Sequence, residues 1–197
     1  MHTINSLPVD YTGNLCIVLN DLMPHVVVRN MVLLLLLGNI PDETTAVESA
    51  LHFWYSAFMP SEYQLAIASE IFSFIKQADA NGLVRSQLGT TSKLSCILPP
   101  EFKGIFSQLL SSDLSIEDAQ AGYDRVREAP SRRDYRDRMY ASLKPSHRVS
   151  FHTYRRFGIV LPFGAINAHF NVPNLSLFTP TGTWLQTDYA DPLGGWQ

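Results

Sequence analysis

Tyr11-Thr-Gly-Asn-Leu-Cys-Ile-Val-Leu-Asn-Asp-Leu-Met-Pro-His-Val-Val-Val-Arg-Asn30 is the stretch on which the fold class turns. Within it, Leu15–Leu19 is a short apolar run, partly β-branched, bounded by Thr12-Gly13-Asn14 and Asn20-Asp21. It reads as a strand buried on both faces. Pro24 then opens a helix, since a first-turn residue has no intrahelical N–H bond to lose. Apolar residues continue all round to about Leu37, which predicts a buried helix stopped by Gly38-Asn39. In nucleotide-binding α/β folds, ligands sit beyond the carboxyl ends of strands. Asp21 holds that position and is the one cofactor-binding candidate. A carboxylate there can hold a ribose diol, and it can equally cap the following helix.

The other half of such a site has no counterpart. Fourteen residues precede Leu15, and Gly13 is the only glycine among them. A phosphate or methyl donor needs backbone amides brought close by a Gly-rich loop at a helix N-terminus. No cofactor is therefore expected.

Outward from this stretch, helices are predicted over 42–58, with Asp42 or Thr44 as cap, and over 61–79. Leu65, Ala68, Ile71, Phe72 and Ile75 form an apolar stripe on the second of these. Residues 81–92 read as a polar linker and Leu94–Leu98 as a short strand. Helical patterns return at Pro100–Leu110, Ser115–Glu128, Ser131–Leu143 and Pro145–Phe157, the last ended by Gly158. Ile159-Val160-Leu161 looks like a further strand, and the chain is loop-rich from Pro162. The order predicts a helix-rich α/β domain. It spans residues 1–197 as one unit, with a body over 11–164 and a tail over 165–197 packed on it.

Of the 197 residues, 46% are apolar and 17% charged, with net charge −3. A charged fraction below the usual value of about 25% means either a poorly charged surface or one partly meant for a partner. The net charge gives no pull toward nucleic acid or an anionic membrane. Met31–Leu37 is the longest apolar run, well short of the roughly 20 residues that span a bilayer. Cys16 and Cys96 form neither a disulfide framework nor a zinc set, which fits a reducing, cytoplasmic setting. Ten of the fifteen Lys and Arg lie within Tyr123–Arg156, with four acidic residues. Arg132, Arg133, Arg136 and Arg138 interleave with Asp134 and Asp137 there. That spacing gives an internally paired helix face or a partner-binding basic patch.

The remaining candidates sit toward the C-terminus. Arg148 in Lys144-Pro-Ser-His-Arg148 can fork a carboxylate or phosphate, or pair with Asp188 or Asp191 of the tail. His169, Asn171 and Asn174 lie in His169-Phe-Asn-Val-Pro-Asn174, where Asn beside Pro favours tight turns. They would line a pocket, meet a partner or fold the tail back. Asp191 joins them from Ala190–Trp196, and Trp184 and Trp196 would clamp the tail. His147 and His152 are five apart, not the four that put two ligands on one helical face, so no metal is expected. Leu51-His-Phe-Trp-Tyr-Ser-Ala-Phe58 is either an aromatic grip for a planar ligand or a core helix with His52 and Ser56 satisfied at one edge. No Ser-His-Asp order, HExxH, P-loop or CxxC pattern is present.

The segments 11–30, Leu51–Phe58, Lys144–Arg148, Gly158–Gly164 and Ala190–Trp196 together resemble a domain of unknown function found in many fungal proteins, often beside a MYND-type zinc finger. They are also similar to the N-terminal domain of the dynein axonemal assembly factor 3 family. The resemblance runs from about residue 11 to the end. It implies a class I methyltransferase-like fold, here an incomplete Rossmann-like unit whose first strand and Gly-rich loop lie upstream. It further implies cytoplasmic assembly work with chaperone-type protein partners. The expectation is a non-catalytic interaction or assembly module. Its rival is a transferase dependent on S-adenosylmethionine, with the cofactor loop upstream of Met1. An unpaired sheet edge where the first strand should be predicts dimerisation or aggregation.

Overall fold

The computed structural model describes residues 6–110, 113–161 and 165–186. Helices dominate: α1 (Pro24–Asn39), α2 (Glu43–Tyr55), α3 (Ser61–Ile75), α4 (Pro100–Leu110), α5 (Ile116–Arg127), α6 (Arg133–Ser142) and α7 (Pro145–Phe157). Strands β1 (Phe58–Met59) and β4 (Val172–Pro173) form one antiparallel pair. Strands β2 (Leu83–Leu88) and β3 (Ser92–Ile97) form another.

Local chemistry explains several helix ends. The Asp42 carboxylate accepts from the Thr45 N–H at 2.7 Å and its hydroxyl at 2.6 Å, capping α2. Ser115 Oγ accepts the Asp118 N–H at 3.0 Å and does the same for α5. Pro24 and Pro145 stand at the first turns of α1 and α7. Gly158, at φ +68°, ends α7 in the left-handed conformation that glycine tolerates best.

The core has two main centres. In the first, α1 is the hub: Val28, Val32, Leu35 and Leu36 are wholly buried. Around them pack Phe53 of α2, Ile67, Ile71 and Phe74 of α3, Val84 of β2, and Phe106 and Leu109 of α4. In the second, Ala119 and Tyr123 of α5 meet Ala57, Phe58, Ile159, Leu177, Phe178 and Trp184. Trp184 lies edge-on to Tyr123 at 5.1 Å and to Phe178 at 5.0 Å, which fixes this part of the tail to the body. Trp196 lies outside the described residues.

Three expectations are corrected. Leu15–Leu19 is not a strand but irregular chain facing solvent, with Leu15 45%, Ile17 56%, Val18 81% and Leu19 43% exposed. A strand needs a neighbouring strand to take its N–H and C=O groups, and no described segment lies alongside. Residues 81–92 are not a linker, since they contain β2, which buries Val84 and Ser86 on alternate positions. Ile159 to Leu161 carries no ladder, although Ile159 is buried. The described strands are all antiparallel, so a parallel Rossmann-like sheet is not among the described residues.

Candidate functional site

The carboxyl end of α2 is where the chain concentrates its buried polar chemistry. The last carbonyls of a helix have no intrahelical donor, and out of water each needs one. Here the donors come from three distant elements. Arg29 of α1 donates from Nη2 to Trp54 O at 2.8 Å. Tyr154 of α7 donates its hydroxyl to Tyr55 O at 3.0 Å. Asn174, just after β4, donates from Nδ2 to Phe53 O and Ser56 O, both at 2.8 Å, and more loosely to His52 O at 3.2 Å. The Asn174 Oδ1 accepts the Ser176 N–H at 3.1 Å and its hydroxyl at 2.8 Å. Its own N–H reaches Ala57 O at 2.8 Å.

Arg29 is only 6% exposed, with its guanidinium 4.5 Å from the centre of the Trp54 ring. Burial lowers its pKa to about 10, so it stays cationic at neutral pH. A cation suits the negative end of a helix.

His52 Nδ1 and Ser56 Oγ lie 2.9 Å apart, a spacing seen in nucleophile–base pairs. The hydroxyl is wholly buried, however, and its oxygen accepts the Val160 N–H at 3.1 Å. It cannot meet a substrate in this conformation, so the pair is a packing element. The His52 ring stacks on Tyr63 at 5.7 Å and takes the edge of Phe170 at 4.8 Å. Burial lowers the His52 pKa, with Glu48 opposing. The unfolded chain therefore takes up this proton first. The stability due to neutral His52 is complete above the ordinary value of 6.5 and is lost as pH falls from there through the lowered folded value. Urea midpoints at about pH 7.5 and about pH 5.5 should fall less steeply in His52→Gln than in the unsubstituted chain. Equal slopes would show that His52 is not the group responsible.

The other candidates lie on different elements. The exposed Asp21 accepts the Met23 N–H on Oδ1 at 2.9 Å, a turn that leads into α1. Arg148 donates from Nε to Leu143 O and from Nη2 to Ala141 O, both at 2.9 Å, and lies over Tyr140. It thereby ties the end of α6 to α7. Arg148→Ala is expected to lower stability by about 1–2 kcal/mol, read as a drop in thermal midpoint. His169 and Asn171 are exposed on either side of Phe170. Asp188 and Asp191 lie outside the described residues. Among the described residues, no group of three His, Cys, Asp or Glu is placed to hold a metal ion.

Asn174, His52 and Ser56 are thus brought together. Arg29, Tyr154 and Ser176 complete the cluster and were not singled out from sequence. A lone Arg inside the apolar run before Leu37 is the one signal for Arg29; Tyr154 and Ser176 have no local signature.

A cleft of about 710 Å³ lies between α5, α6 and α7, lined among others by Asp124, Glu128, Arg136, His152 and Arg156. Part of the charge there is matched, since Arg136 meets Glu128 at 2.6 Å and Asp137 at 3.9 Å. Along the exposed side of α6, Arg138 meets Asp134 at 2.7 Å and Arg133 meets Asp137 at 3.9 Å. Both cysteines are free. Cys16 is exposed, whereas Cys96 is half-buried and burial pushes its thiol pKa up. Iodoacetamide is therefore expected to label Cys16 well before Cys96, by peptide mass mapping. The reverse order would contradict the open placement of the N-terminal segment.

A family described as a domain of unknown function (DUF4470) matches residues 1–59. The matched stretch holds Leu15–Leu22, α1, α2 and β1, and so includes the helix end on which the buried polar cluster is built. No curated protein and no solved structure matches the chain. Among the described residues, no helix is long and apolar enough to cross a membrane.

Proposed function

We propose that the chain is a protein-interaction or assembly module and that residues 11–23 are its contact element. The observation that carries this is the exposure of Leu15, Ile17, Val18, Leu19 and Leu22 in one run. No charge interrupts Tyr11–Asn20, and residues 12–22 have no main-chain hydrogen-bond partner among the described residues. A contiguous apolar stretch left in water marks a surface meant to be covered. On this reading Leu15–Leu19 becomes a strand when a sheet edge is offered to it. The likeness to dynein assembly-factor and MYND-associated domains points to cytoplasmic, chaperone-type partners.

The test is size-exclusion profiling of the tagged chain in native extract, beside a variant carrying Ile17→Asp and Val18→Asp. Both positions are exposed, so the melting temperature should hold. The unsubstituted chain is expected in a larger assembly and the variant at monomer size. Identical profiles would remove 11–23 from the role. Methyl transfer is the competing reading. S-adenosylmethionine at 100 times its dissociation constant would add about 2.7 kcal/mol of stability. A thermal shift of that order would move the assignment to a transferase.

A further inference from the structure

The β2–β3 hairpin leaves one edge open. Leu98 donates its N–H to Gly82 O at 2.9 Å, and the register pairs Val84 with Cys96 and Ser86 with Leu94. Bonded pairs alternate along an antiparallel ladder, so Leu94 and Cys96 direct their main-chain groups to β2. Lys93, Ser95 and Ile97 therefore turn N–H and C=O outward. All three residues are exposed, Ile97 by 66%, and their main-chain groups have no partner among the described residues.

We infer that this edge receives residues 15–19 of a second copy of the chain. The inference rests on the assignment of 11–23 as the contact element. Three features of the chain itself match. Leu15–Leu19 and Lys93–Ile97 are both five residues long, about 17 Å when extended. Each offers unpaired main-chain N–H and C=O groups to the other. Residues 10–22 carry Asp10 and Asp21 and no basic side chain, whereas Leu83–Ile97 carries Arg85 and Lys93 and no carboxylate. Their charges attract, and the donor segment is not laid on the edge of its own copy. Reciprocal exchange of two segments closes a two-fold dimer.

The experiment is sedimentation of the purified chain between about 1 and 100 μM, a range that brackets micromolar association. The unsubstituted chain is expected to pass from monomer to dimer. Ser95→Pro removes only an outward N–H and leaves the bonds to β2, so it should keep the circular dichroism and associate at least about tenfold more weakly. Ser95→Asp, at an exposed position facing the acidic segment, should do the same if the proline disturbs the hairpin. Ile17→Asp should also be monomeric. A mixture of Ser95→Pro and Ile17→Asp should recover association, because one intact segment still meets one intact edge.

A monomer at every concentration overturns the inference. Loss with Ile17→Asp but not with either Ser95 variant also overturns it, since the segment would then pair with itself. If the purified chain is monomeric while the native-extract assembly still depends on Ile17 and Val18, the contact element stands and its partner is another protein.

Discussion

Asn174→Ala is expected to cost about 4 kcal/mol, enough to leave many domains of this size near the edge of folding. The side chain is 1% exposed and carries the C-terminal end of α2. Its removal leaves Ser56 O without this donor and the Ser176 N–H without its acceptor, and reduces Phe53 O and the Ser176 hydroxyl to their mutual bond at 3.3 Å. Each buried group left unmatched costs about 1–3 kcal/mol, and the truncation opens a cavity as well. Asn174→Asp separates hydrogen bonding from volume. It keeps the shape but turns a donor into a charged acceptor facing carbonyls at the negative end of a helix. It should be at least as damaging as the alanine. Urea denaturation decides: a loss below about 1 kcal/mol for both variants would show that the tail does not hold α2 through this residue.

Gly122→Ala should cost about 3 kcal/mol, against the helix propensity that favours alanine by about 1 kcal/mol. A Cβ built at Gly122 would lie 1.8 Å from the carbonyl oxygen of Gly182, a backbone atom that cannot swing away. Gly182, at φ +78°, is itself in a conformation that few side chains allow. The tail must therefore lift, taking Trp184 from its place between Tyr123 and Phe178. Gly104→Ala on α4 is the control, because a Cβ there meets nothing within 4 Å. It should stabilise by about 1 kcal/mol. Opposite signs for two identical substitutions, read by chemical denaturation, are the expected result. A stabilised Gly122→Ala would mean that the tail does not pack against α5 as described.

Several polar residues chosen from sequence turn out to be engaged within the fold. Arg148 and Asn174 are both used on carbonyls near helix ends. Asp21 is used on the approach to α1. Sequence vocabulary that suggests a pocket, with Asn, Arg and His among Pro and Gly, is also the vocabulary of terminating and joining helices. Only the partner distinguishes the two uses, and for Asn174 the partners lie 118 to 122 residues away.

The sequence alone determined the helices and several of their boundaries: a cap at Asp42 or Thr44, of which the structure uses Asp42, Pro24 and Pro145 at first turns, and Gly158 as the stop of α7. Those features are local, because a helix closes its hydrogen bonds four residues away and a cap acts within the same turn. The tertiary structure alone decided the other strands and the buried polar cluster, since only β3 was foreshadowed, by the apolar run Leu94–Leu98. Leu83–Leu88 became a strand because Ser92–Ile97 lies beside it, and Leu15–Leu19, richer in apolar side chains, did not because none of the described segments pairs with it. A strand's hydrogen bonds, like the donors gathered on α2, belong to residues far along the chain, and their arrival depends on the packing of the whole.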